Sequence, residues 1–310
     1  MWRPLTSLLL AAILVEGRVD WFDNTTVQLW STLFVSVCLQ ALPFLVLGVT
    51  ISGAIAAFVS PDLVQRLVPR RPVLAIPSAG LAGMALPGCE CGSVPIAGRL
   101  AGAGVPPAAA LTFLLAAPAI NPVVLVSTAV AFPGEPRLVL ARFLASFLTA
   151  VAIGAWWSRR RDGELRVDDA HAHDHDHRRW SHFVDAASRD LVHAGGYLVI
   201  GAMAAATLQL AVPRSVLDTV ADNEVLAVIV FAALAVVLSI CSEADAFVAA
   251  GLPQFSLTSR LVFLVVGPVI DLKLVAMHAG VFGRRFAAIF APVTLLVAVA
   301  SAVVIGQLLL

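Results

Sequence analysis

Six apolar stretches, residues 27–59, 107–132, 138–157, 191–212, 257–282 and 286–309, decide what this chain can become. Each is long enough to cross about 30 Å of hydrocarbon as a helix, which takes roughly 20 residues. The bilayer interior holds no water to satisfy free backbone groups, and runs this long and unbroken resolve that demand as helices, not as a barrel. Of the 310 residues 60% are hydrophobic and 13% charged, with a mean hydropathy of +0.93, a balance far from that of a soluble globular domain. The expected fold class is all-α, a polytopic integral membrane protein. An opening run at residues 5–15, behind Arg3, is too short to cross and is read as part of a retained N-terminal anchor, residues 1–26.

The chain also repeats itself. At an offset of 150 residues Cys91 falls on Cys241, Leu111 on Leu261, Phe113 on Phe263, Pro118 on Pro268 and Ile120 on Ile270. At an offset of 153, Ala41, Leu45 and Gly48 fall on Ala194, Leu198 and Gly201. Two membrane units, residues 27–158 and 181–310, are therefore expected, joined by a linker at 159–180. In membrane proteins such halves enclose a shared central site.

Charge sets the expected orientation. Arg66, Arg70 and Arg71 follow the first long span, and Arg159, Arg160, Arg161, Arg166, Arg178 and Arg179 fill the linker, so both regions belong in the cytoplasm. An even number of crossings must separate them. Residues 107–132 and 138–157 supply two, which leaves 73–100 to enter and leave on one side as a re-entrant hairpin. Its break is Leu86-Pro87-Gly88-Cys89-Glu90-Cys91-Gly92, where proline removes a donor and glycine favours other backbone angles. The second unit begins in the cytoplasm and returns there at Arg284 and Arg285, with its own hairpin at Cys241 entering from outside. The two units are thus expected to be inverted repeats, each with a re-entrant hairpin and a proline-broken spanning helix.

Candidate chemistry gathers at these breaks. Cys89, Glu90 and Cys91 occupy the first hairpin, and Cys241, Glu243 and Asp245 the second. Soft thiolates select soft metals and metalloids, and three thiols from two hairpins would suit trigonal coordination better than a closed four-ligand site. Carboxylates at such depth cost about 2.5–3.5 kcal/mol each on insertion scales, so Glu243 and Asp245 need a reason to be there: binding a cation, or exchanging a proton as cargo passes. Pro118 and Asn121 in one unit correspond to Pro268, Asp271 and Lys273 in the other, at broken helices whose free carbonyls and amides can coordinate a substrate. On a regular helix Asp271 and Lys273 would not face each other. Arg142 is expected to pair with a carboxylate such as Glu135 or to reach the interface, and His278 to serve as a structural hydrogen-bonding residue.

The linker carries Asp168-Asp169-Ala170-His171-Ala172-His173-Asp174-His175-Asp176-His177. Alternating imidazole and carboxylate suits zinc, copper or nickel, so His171, His173, His175, His177, Asp174 and Asp176 are candidate metal ligands; a solvated spacer is the other reading. No further cofactor is expected. Net charge is zero and no basic patch with interleaved aromatics occurs, so no nucleic acid partner is expected. The partners are the lipid bilayer and a metal or metalloid cargo, with a homo-oligomer left open.

The segments Leu86 to Pro95, Phe113 to Pro122, Cys241 to Ala250 and Gly267 to Lys273 together resemble the signatures of the bacterial predicted permeases that include the organoarsenical efflux permeases and the YraQ-type proteins. That resemblance, over about residues 30–282, implies a plasma-membrane permease and makes Cys89, Cys91 and Cys241 the thiol ligands. The function expected is efflux of a thiophilic species, a divalent metal or a trivalent organoarsenical, by ion-gradient-driven alternating access. No G-x-x-x-x-G-K-[ST] sequence is present to bind ATP, and no enzymatic activity is expected. The alternatives are a transmembrane thiol-redox carrier and a non-transporting membrane accessory subunit.

Overall fold

The computed structural model describes residues 25–58, 69, 71–84, 90–160, 179–211, 223–238 and 241–310, and among these every regular element is a helix. The first unit comprises α1 (Thr25–Phe58), α2 (Pro72–Gly83), α3 (Glu90–Gly102), α4 (Pro107–Ile120), α5 (Pro122–Ala131) and α6 (Pro136–Ser158). The second comprises α7 (Arg179–Ala211), α8 (Glu224–Leu238), α9 (Ser242–Ala250), α10 (Leu257–Val266), α11 (Leu272–Val281) and α12 (Arg284–Leu309). Thr25–Ala54, Pro107–Ala131, Pro136–Ser158 and Arg284–Leu309 are each long and apolar enough to cross a membrane. The molecule is an all-α polytopic membrane protein. The N-terminal run up to residue 24, Cys89, and the candidate ligands His171, His173, His175, His177, Asp174 and Asp176 lie outside the described residues.

One expected span takes a different form: residues 191–211 fall within a 33-residue helix, α7, that starts twelve positions earlier at Arg179 and is polar in its opening turns. Residues 107–132 and 257–282 are each interrupted, dividing into α4 and α5 and into α10 and α11.

The breaks have local causes. Pro118 stays inside α4, which runs on to Ile120. The interruption falls at Asn121, extended at φ −67°, ψ 156°, because Pro122 pushes its predecessor out of the helical region. The Asn121 side chain then caps α5 by accepting from the Val124 amide at 3.0 Å. In the second unit α10 stops at Val266, ahead of Gly267 and Pro268, and Asp271, extended at φ −145°, ψ 176°, caps α11 by accepting from the Leu274 amide at 2.6 Å. Asn121 and Asp271, matched by the repeat, thus do the same structural work.

Packing repeats as well. In each unit the second and fourth helices pack together and both touch the sixth. Gly154 of α6 lies so tightly on Thr112 of α4 that a Cβ would collide with it, and a Cβ on Gly306 of α12 would come within 2.8 Å of Thr258 on α10. Small residues permit such close approach where no water drives association. The two scaffolds join where the end of α6 meets the start of α12: the Trp157 ring lies 5.2 Å from that of Phe286. Nearby, His278 is buried beside the rings of Phe282, Phe286 and Phe290, and neither ring nitrogen has a hydrogen-bond partner. The hydrogen-bonding role expected for it is not observed, because its pocket is aromatic.

Helices α1 and α7 form an antiparallel pair along their lengths. Trp30 Nε1 donates to Thr207 Oγ1 at 3.1 Å near one end, Leu45 faces Gly195, and Gly53 faces Ala187 near the other. This pair packs extensively on α3 and α11, and has no comparable interface with their repeat counterparts α9 and α5.

Candidate functional site

The half-helices α3, α9 and α11 each follow a break, and side chains at their starts meet in one buried centre, to which Thr128 of the half-helix α5 connects through Arg142. Glu90 opens α3 and is 1% exposed. Its Oε1 lies 2.6 Å from Lys273 Nζ on α11, and its Oε2 accepts from Ser242 Oγ on α9 at 3.0 Å. Lys273 Nζ also lies 3.2 Å from Asp271 Oδ2. Asp271 and Lys273, which would not face each other on a regular helix, meet because Asp271 sits in the extended cap position, outside the helix. Residues of the two units, 183 positions apart for Glu90 and Lys273, are therefore joined by an ion pair shielded from water.

Arg142, fully buried on α6, closes the opposite side. It donates to Thr128 Oγ1 on α5 at 2.6 Å and to the Ser242 carbonyl on α9 at 2.9 Å. Neither Glu135 pairing nor escape to the interface is seen; Glu135 is exposed at the far end of its turn. Charge-assisted bonds of this kind are roughly twice as strong as neutral ones, and here they tie three helices from both units. Thr128, Ser242 and Arg142 had not been singled out as site residues. The signal available was the cost of a guanidinium in the middle of an apolar run, which demands partners.

The thiols flank this network. Cys91 follows Glu90, is fully buried, and lies within electrostatic reach of Lys273. Cys241 precedes Ser242 as the extended N-cap of α9 and donates to Glu243 Oε2 within the same turn. Because Ser242 bonds to Glu90, the two breaks carrying Cys91 and Cys241 are adjacent. Asp245, 2% exposed, packs against Gly267 so closely that a Cβ there would collide with its Oδ2. Pro118 and Pro268 are both buried, but neither supplies a polar contact. Among the described residues, no three His, Cys, Asp or Glu side chains come together as a metal-binding group.

A second polar cluster lies away from the centre. Arg99 on α3 holds Asp190 on α7 through paired contacts of 2.8 and 3.1 Å, and Ser52 on α1 donates to the same carboxylate at 2.8 Å. Ser52 also approaches the Pro95 carbonyl at 3.4 Å. Proline at that position leaves the preceding turn of α3 one donor short.

Comparison with known proteins agrees over nearly the whole chain. A family model described as a predicted permease, ArsP_1, matches residues 27–307. A Streptococcus mutans protein named a putative two-component membrane permease complex subunit is 33% identical over 286 residues, covering 88% of this chain and 94% of that protein. The Bacillus subtilis UPF0718 protein YcgR is 37% identical over 279 residues, with the same coverage. No solved structure matches.

Proposed function

This chain belongs to the ArsP_1 predicted-permease family, and on that premise we propose that it exports a thiophilic metal or metalloid species across the plasma membrane by alternating access, driven by an ion gradient. The observation that supports the reading is the junction of Glu90 with Ser242 and Lys273, which joins the starts of half-helices from both units, next in sequence to Cys91 and Cys241. Helices interrupted at the midplane, with amide-rich starts facing a common point, are the usual construction of a substrate site in secondary transporters. Cys91 and Cys241, with Cys89 from the preceding segment, act as transient ligands; an open set of soft donors exchanges cargo faster than a closed four-ligand cage. The His and Asp tract of the linker gathers divalent metal on the cytoplasmic side.

The antiparallel course of α1 and α7 supports the inverted-repeat topology read from charge. In that topology α3 and α11 run from the centre toward the cytoplasm, and α5 and α9 run outward. The α1–α7 pair, docked on α3 and α11, then seals the cytoplasmic side, with the Arg99–Asp190–Ser52 cluster as its latch. Its unequal docking on matched partners supports a cycle in which the pair transfers to α5 and α9 to open that side.

The test is flux into vesicles containing the purified protein, challenged in turn with zinc, copper, nickel and methylarsenite. Cys91→Ser with Cys241→Ser should reduce the flux of the transported species at least tenfold. Unchanged flux of every compound, in a preparation that moves one of them, removes the thiols from the mechanism.

A further inference from the structure

One carboxyl group of the centre makes no hydrogen bond or ion pair through its side chain among the described residues. Glu90 and Asp271 share the ammonium of Lys273. Arg142 directs its guanidinium to a hydroxyl and a backbone carbonyl, and its Nε has no partner. Asp245 is 2% exposed, its Oδ2 accepts no hydrogen bond, and that oxygen is pressed against the Gly267 backbone. Resting on the permease reading, we infer that Asp245 is the site that takes up and releases the coupling proton, one proton per cycle.

Charge and room both bear on Asp245. Asp245 is faced by Arg142 from α6, Glu90 from α3, and Lys273 and Asp271 from α11. On its own helix, Glu243 is half-buried and engaged by the Cys241 thiol. Three buried carboxyls thus face two buried cations. An apolar interior does not hold the surplus negative charge; it is met by a proton or by a bound cation. A metal cation needs several ligands: oxygen-preferring ions take about six to eight, and a soft ion such as zinc takes about four donors. At Asp245 no three acidic, Cys or His groups gather among the described residues, and Gly267 lies close against its Oδ2. A proton requires a single oxygen.

The transfer itself is simple. A hydronium ion on one side gives its proton to Asp245 Oδ2, and a water on the other side later accepts it. The step between them matters for transport. A deprotonated Asp245 regains its charge next to Arg142, whose Nε is free to receive it. Pairing there would draw Arg142 from the Ser242 carbonyl and loosen the adjoining Ser242–Glu90 bond. Cys241 immediately precedes Ser242, so the state of one proton is transmitted to the thiol.

Two measurements on the full-length protein test this separately from the transport reading. Infrared spectroscopy of the purified protein at neutral pH should show a protonated-carboxyl band that is lost in Asp245→Asn; a band that persists in the variant, or is absent from the parent, overturns the assignment whether or not any cargo moves. In vesicles, with methylarsenite or zinc as the probe and a pH indicator inside, the parent should couple cargo and proton movement. Asp245→Asn should lose gradient-driven net flux at least tenfold, while retaining exchange of labelled for unlabelled probe. Net flux with undiminished proton movement in Asp245→Asn also overturns it. A parent protein that moves neither probe removes methylarsenite and zinc as cargo and leaves the infrared result to decide the proton site.

Discussion

At the scale of single residues, Arg142 shows how a charge can stand inside an apolar helix. Its two acceptors come from α5 and α9, and a buried ion deprived of a partner is strongly destabilising, whereas replacing the ion itself with an apolar side chain of like size is often nearly neutral. Thr128→Val should therefore lower stability by about 1–3 kcal/mol by leaving part of the guanidinium unsatisfied. Adding Arg142→Met should return much of that loss, a strongly non-additive pair. Thermal unfolding in detergent measures both, and simple additivity would show that Thr128 is incidental to Arg142. Asn121 and Asp271 make the complementary point. Their shared role as helix caps was hidden behind their different charges, and the structure separates the cap, which both supply, from the ion pair with Lys273, which only Asp271 supplies.

At the scale of helices, glycines govern which elements can touch. Gly48 and Gly201 occupy matching positions in α1 and α7, and at each a Cβ would collide with backbone, of Gly92 on α3 and of Lys273 on α11 respectively. Gly196, one turn away on α7, has nothing near the place its Cβ would take. Gly48→Ala should thus cost about 1–3 kcal/mol through overpacking, whereas Gly196→Ala should stabilise by roughly 0.5–1 kcal/mol through helix propensity alone. Comparable melting shifts for the two would mean that the α1–α3 crossing is looser than described. The matched glycines also meet unmatched partners, and this is where the two units cease to be alike.

For the whole molecule, that inequality makes a specific forecast. Applying the repeat offsets to Arg99 and Asp190 exchanges them for Ala249 and Val37. Arg99→Cys with Asp190→Cys should cross-link readily in the described state and stop transport when oxidised. In a Cys38→Ala background, Val37→Cys with Ala249→Cys should cross-link only when the α1–α7 pair has moved to the other half-helices, and cargo should change the yields of the two links in opposite directions. Yields that respond alike, or not at all, would dismiss the exchange of packing partners.

Much of this was readable in residue order alone, for a physical reason. Whether a segment crosses a bilayer as a helix depends on its own apolar length, and where it breaks depends on neighbours such as Pro122 before which a helix must stop, so the helical membrane class, the repeat and the interrupted segments followed from local patterns. Within the segment from Pro118 to Pro122 the interruption falls at Asn121, since proline within α4 is tolerated when packing holds the helix. The partners of Glu90, Arg142 and Asp190 were another matter. Apart from Thr128, which lies 14 residues from Arg142, they lie 91 to 183 residues away, and no periodicity encodes them. Buried charge must find a counter-group, but which one it finds is decided by how the helices pack, and only the tertiary structure shows Glu90 meeting Lys273 and Ser242, Arg142 turned toward a carbonyl, and the α1–α7 pair resting on one set of half-helices and not on its twin.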